Sequence, residues 1–146
     1  MHAPSATPEW FSTKFDLPRL TLKRYAFWTW SLRPAQCTLG ASVVSLRRAC
    51  AAWGEVSAEE NAELATVIAE VEGGLRRCFD YDRVNHLMLM MVDPHVHFHV
   101  VPRYEAPRER HGLTWTDATW PRLPDIYNGP SDAALLERIR QELLAG

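Results

Sequence analysis

The spacing of apolar residues changes period several times along the chain, and each change marks an element. Between Thr21 and Leu32 the segment TLKRYAFWTWSL is rich in aromatic and β-branched residues, which predicts a strand. A period of two places Trp28, Trp30 and Leu32 on one face and Tyr25, Phe27 and Thr29 on the other. Pro34 ends it. Thr38 to Leu46, TLGASVVSL, reads as a second strand, with Gly40 marking a bulge or a close backbone approach. The period then becomes helical. Ser57 with Glu60 three residues on forms a capping box, and Leu64, Ile68, Val71, Leu75 and Phe79 make one stripe, predicting a helix over 58–78.

Beyond that helix, RVNHLMLMMV is short and almost uniformly apolar, as in a buried central strand. Asp93-Pro94 makes a turn, since proline lacks a donor and disfavours helix just before it. HVHFHVVPRY follows as the partner strand of a hairpin. Before residue 21, Pro4, Pro8 and Pro18 interrupt any periodicity, so 1–20 reads as an irregular arm pinned by Trp10, Phe11 and Phe15. After Pro107 the chain is polar and loop-like around Trp115, Trp120 and WPRLPD, until Ser131 caps a last helix with Leu135, Ile139 and Leu143 on one stripe. The expected organisation is an arm over 1–20, a main domain over 21–106 and an extension over 107–146. The fold class is α+β, an antiparallel sheet with the long helix and the C-terminal helix packed on it.

Within the second hairpin strand, three of the six histidines alternate with apolar residues: His95, His97 and His99 around Val96 and Phe98. Alternation sends the three imidazoles to one face while Val96, Phe98 and Val100 enter the core. Each neutral ring carries one donor and one acceptor that need partners if buried. Two chemistries suit such a row. Imidazole is a common metal ligand, with Asp93 or His86 as candidate further ligands, although one flat strand converges poorly on an ion. Alternatively, an imidazole with one nitrogen held by a backbone carbonyl keeps its other lone pair for nucleophilic attack, with neighbouring rings donating to phosphoryl oxygens.

Composition narrows the setting. With 146 residues, 47% hydrophobic and 23% charged, the chain is long enough to bury one core. A formal net charge of −2 gives no electrostatic reason to expect nucleic acid or an anionic membrane as partner. Cys37, Cys50 and Cys78 lack CxxC spacing and suit free thiols. The opening residues do not resemble a signal peptide, and Leu87 to Val92 is too short to span a bilayer, so a cytoplasmic protein is expected.

HVHFHVV, from His95 to Val101, resembles the His-φ-His-φ-His-φ-φ signature of the histidine triad superfamily, φ being apolar. TLGASVVSL, the capped helix, an Asn before the last strands and VPR after the triad follow the same order, so the resemblance covers roughly Tyr25 to Tyr104. DPHVHFHVVPRY with the later WPRLPD is similar to a bacterial branch. The resemblance implies a homodimeric, purine-nucleotide-binding hydrolase or transferase working at an α-phosphate through a nucleotidyl-histidine intermediate. Carried onto this sequence, His97 is the nucleophile, His99 contacts the phosphate, His95 supports the site and Asn85 meets the ribose–phosphate end of the ligand. A histidine rather than glutamine at position 99 points away from the sugar-phosphate nucleotidyltransferase branch. No cofactor and no metal are called for. MMVDP stands where many hydrolytic members have Gly-Gln-Ser/Thr, and Ala41 where a histidine often stands. These departures leave two alternatives: a nucleotide-binding protein with weak catalysis, or a His-rich metal-binding protein.

Asp93 is expected to serve its turn or to orient an imidazole. Arg103 is expected in a surface ion pair or on a phosphate, and Trp28 and Trp30 in the core or as a stacking platform.

Overall fold

The computed structural model describes residues 6–146; His2 and Pro4 lie outside them. Five strands form one antiparallel sheet in the order β1-β2-β3-β5-β4: β1 (Thr21–Arg24), β2 (Trp28–Leu32), β3 (Ser42–Leu46), β4 (Arg83–Leu87) and β5 (His97–Arg103). Two short helices, α1 (Glu9–Lys14) and α2 (Leu17–Leu20), precede the sheet. The long helix α3 (Ala58–Phe79) lies between β3 and β4, and α4 (Ala133–Ala145) ends the chain. The expected α+β architecture is present.

One face of the sheet makes the main core. Trp28, Leu32, Val44, Leu46 and Val100 meet Val67, Val71, Leu75 and Phe79 of α3 and Ile139 of α4. Trp28 and Trp30 are buried in this layer, and the Trp28 indole donates to the Glu60 carbonyl at 2.9 Å. Gly40, at φ 86°, fits where a Cβ would stand 2.8 Å from the Phe79 ring. That is the close approach expected at this glycine.

Helix α3 begins where the capping box predicts. Ser57 Oγ accepts from the Glu60 amide at 3.1 Å, and Glu60 Oε1 accepts from the Ser57 amide at 2.8 Å. Arg48 then donates to both Glu60 oxygens, at 2.7 and 2.9 Å. The hydrogen bond from Arg48 is the main cause holding the Glu60 pKa down to about 2. The buried stripe is Leu64, Val67, Val71, Leu75 and Phe79, with Ile68 at its margin.

Several expectations are corrected. Thr21 to Leu32 is two paired strands, not one, because the chain turns at Tyr25–Phe27. That turn carries no glycine or proline; it is held by Glu63 Oε1 accepting the Phe27 amide and Arg47 donating to the carbonyls of Tyr25 and Ala26. The second strand starts only at Ser42, after a turn closed by Ala41 N–H to Thr38 O. The apolar run after Arg83 leaves the sheet at Leu87. Met88 to Val96 form a loop, so the hairpin partner starts at His97 rather than His95. The arm is helical at α1 and α2. After Pro107 a small hairpin forms from β6 (Arg108–Arg110) and β7 (Leu113–Trp115). Asp132, not Ser131, caps α4 by accepting from the Leu135 amide at 3.0 Å. Cys37, Cys50 and Cys78 are free thiols. Among the described residues, no helix is long and apolar enough to cross a membrane.

The cap makes two measurable predictions. Replacing Ser57 by Ala should cost about 1 kcal/mol in chemical denaturation. Replacing Glu60 by Gln should destabilise the protein at neutral pH. Because the folded carboxyl titrates at about 2 against an ordinary 4.5, its contribution is complete above 4.5 and lost as pH falls through 2. The stability gap between wild type and E60Q should therefore close over that window; a gap independent of pH there would contradict the assignment.

Candidate active site

Odd-numbered residues of β5 face away from the main core. His97 lies opposite Ser45, and His99 opposite Val43 on one side and Leu87 on the other. His95 precedes the strand, yet its ring is fixed. His95 Nε2–H donates to the Leu46 carbonyl at 2.8 Å, and Nδ1 faces the Cys50 amide at 3.5 Å. Both ring nitrogens of His95 are thus turned to the backbone, and the residue is 1% exposed.

His97 is poised differently. Its Nδ1–H donates to the His95 carbonyl in a short hydrogen bond. In a neutral imidazole this places the lone pair on Nε2. Burial lowers the His97 pKa, against a smaller raising effect of the bond to His95, so the ring is neutral at physiological pH. His99, whose ring centroid is 5.0 Å from that of His97, is pushed to about 3, first by burial and then by the positive charge of Arg33. Its Nδ1 is buried without a hydrogen-bond partner.

His97 is covered rather than open to a surface cleft. Phe11 and Phe15, stacked on each other at 4.4 Å, roof the histidines together with Leu17 and Val43. Phe11 is edge-on to His95 and His97 at 4.8 and 5.0 Å, and Phe15 lies 5.5 Å from His97. His97 is 2% exposed as a result. An i, i+4 aromatic pair in the arm was a visible signal for this roof, but the prolines around it argued against a helix.

Beside the roof a cavity of about 450 Å³ reaches His97 and His99. Its other walls include Lys14, Phe15, Arg33, Met90, Asp93 and Tyr127. Lys14 bridges to Asp93 at 2.6 Å, joining α1 to the loop before the triad. Arg33 and Lys14 are site residues that the sequence did not single out. A larger hollow of about 660 Å³ lies elsewhere, along Arg24, Phe27, Arg47 and Glu60, but contains no histidine or cysteine.

Asn85 is not gathered into the triad cavity. It lies opposite Val101, accepts from Arg103 Nη1 at 2.7 Å, and lines a neighbouring groove with Arg83, Trp120 and Pro121. Arg103 is in neither a surface pair nor a free anion site. It is fully buried against Asp117, with contacts of 2.6 and 3.1 Å. His86 faces the other side of β4, where it meets Glu72 at 2.8 Å, and His111 meets Glu142 at the same distance. Among the described residues, no three His, Cys, Asp or Glu side chains are placed to hold a metal ion.

Comparison with solved structures finds the same fold. A histidine triad protein of Sinorhizobium meliloti superposes with a TM-score of 0.74 over 96% of both chains at 15% identity. This chain has the histidine triad fold. A hypothetical histidine triad nucleotide-binding protein of Sulfolobus tokodaii gives a TM-score of 0.63 over 86% of this chain and 83% of the other, at 20% identity. A Zn-bound histidine triad family protein of Mycobacterium smegmatis gives 0.60 over 89% and 86%, at 19% identity. No protein-family model matches the sequence, and no curated protein is significantly similar to it.

In this histidine triad fold, the roof sets reagent access. Diethyl pyrocarbonate should modify the exposed His86 before His97, and Phe15→Ala should bring His97 modification forward. Peptide mapping showing His97 modified as fast as His86 in the wild type would contradict the roofed geometry.

Proposed function

We propose that this protein is a nucleotide-binding hydrolase or transferase that attacks the α-phosphorus of a purine nucleotide with His97. The observation that carries the reading is the His97 tautomer: with Nδ1–H held by the His95 carbonyl, the free lone pair is on Nε2. Nε2 bonds to phosphorus as the bond to the leaving group breaks, and that group departs with the electron pair. Water then attacks phosphorus, breaks the N–P bond and releases the nucleoside monophosphate while His97 regains its neutral form. His99, neutral and without a protein partner on Nδ1, is free to donate to a phosphoryl oxygen. His95 keeps its structural place beneath the nucleophile.

Substrates of the phosphoramidate or dinucleoside polyphosphate type fit this chemistry, since both offer an α-phosphorus with a leaving group. Nucleotide binding is in keeping with the Sulfolobus tokodaii protein's description. Asn85 belongs to this reading as a ribose–phosphate contact through its Nδ2 donors, because the Arg103 guanidinium occupies its side-chain oxygen. A homodimer belongs to it as well, and the outer edge of β4, unpaired among the described residues, offers backbone groups for such a contact. The weak-catalysis alternative shares all of these features and differs only in turnover. The metal-binding alternative has less support, because the His95 ring and His97 Nδ1 are committed to backbone groups.

Two outcomes test the proposal. Rapid quenching with an adenosine phosphoramidate should trap a nucleotidyl adduct on His97, read by intact mass and peptide mapping. His97→Ala should abolish turnover, and because the ring is buried it should also cost about 1–3 kcal/mol of stability. Full activity in a folded H97A protein would refute the mechanism. Since burial holds His97 below the ordinary 6.5, its contribution to the rate should persist on acidification through pH 6.5 and be lost only at a lower pH.

A further inference from the structure

Arg33 is a buried cation without a counter-ion. The residue is 9% exposed, and among the described residues no carboxylate pairs with it. Its Nη1 donates to two backbone carbonyls, Ile126 O at 2.7 Å and Ala35 O at 3.3 Å, while Nε is buried with no partner. The Cys37 thiol beside it does not neutralise it, since burial pushes that thiol's pKa up more than the guanidinium draws it down. An unpaired charge held out of water is costly, so a fold that keeps one has a use for the field it makes.

Arg33 lines the same cavity as His97 and His99, and its charge acts on both rings. Arg33 and His99, each with one buried polar atom that lacks a hydrogen-bond partner (Nε and Nδ1), thus line one cavity. The other cation there, Lys14, is already matched by Asp93. The charge left over is that of Arg33.

We infer that Arg33 is the phosphate-recognition residue of this site, its guanidinium and the His99 ring receiving the oxygens of a phosphate monoester or diester presented to His97. The inference rests on the reading of the triad cavity as a nucleotide phosphate site, and it adds the group that supplies the charge. A planar guanidinium suits this task because its donors form a fixed fork that matches tetrahedral phosphate oxygens. Holding Ile126 with Nη1 orients the fork, so the C-terminal segment becomes a positioning element for the anion.

The wild-type protein offers a direct readout. The Arg33 Nε–H resonance, followed by NMR, should shift downfield as AMP or inorganic phosphate is added, because a donor that lacks a partner gains one. By calorimetry, Arg33→Met should weaken AMP binding on the order of 10–100-fold, the range for hydrogen bonds to a charged group. Arg33→Lys should recover part of the loss through its charge. If Arg33→Met fails to fold, the wild-type titration still decides the matter. An Nε–H signal that stays put while His99 responds would overturn the inference, as would wild-type affinity in folded R33M, or absence of AMP and phosphate binding altogether. AMP binding with the Arg33 shift but no nucleotidyl-His97 would leave this inference standing and defeat the hydrolase reading; turnover with an unmoved Arg33 signal would do the reverse.

Discussion

The hydrogen bond from His97 Nδ1 to the carbonyl of His95 organises the site. It spans two residues, so it exists only because the chain bends at His95 before entering β5 at His97. That bend is pinned by ordinary backbone bonds. Val96 donates to the Cys50 carbonyl at 2.8 Å and accepts from the Leu46 amide at 3.0 Å, while the His95 ring donates to Leu46. A carbonyl fixed in this way selects one imidazole tautomer, and the tautomer decides which nitrogen carries the free electron pair. A regular strand through all three histidines would turn each carbonyl into the ladder and away from the next ring.

The sheet has two faces with different tasks. Toward α3 and α4 it buries an aliphatic and aromatic layer, which fixes the register of β5 against β3 and β4. The other face buries polar groups: Thr29, Ser31, Ser45, His97, His99 and Arg103. Burial there is tolerable for Arg103 because Asp117 and Asn85 meet it. It is tolerable for the histidines because desolvation keeps them neutral. The roof of Phe11 and Phe15 therefore does two things at once. It excludes water from the imidazoles, and that exclusion holds His97 in its unprotonated form. Acid opposes this arrangement: as pH falls below 6.5 the unfolded histidines take up protons that the folded ones refuse, so the native state loses its advantage progressively toward about 3 for His99.

Local sequence signals carried much of this. The same-face placement of His97 and His99, the capping box at Ser57, the α3 stripe and the close approach at Gly40 followed from spacing and residue type alone. What escaped depends on distant partners. The Tyr25–Phe27 turn has no turn residues of its own and is held by Glu63 and Arg47 from elsewhere in the chain. The roof over His97 joins an arm to a strand some eighty residues later, which periodicity does not record. Arg33 looked like an ordinary arginine before a proline; only its burial without an acidic partner distinguishes it. The bond from Arg103 to Asn85 is a long-range choice that no local pattern encodes.

The most direct test of the account is the protonation state of one ring. Nitrogen-15 NMR of labelled histidines, followed from above neutrality down through pH 6.5, should show His97 as the neutral tautomer with hydrogen on Nδ1 and an unprotonated Nε2. Its titration midpoint should lie below 6.5. A His97 that carries its hydrogen on Nε2, or that titrates at 6.5 as a solvated imidazole does, would contradict the claim that the His95 carbonyl and the aromatic roof prepare this residue as the nucleophile.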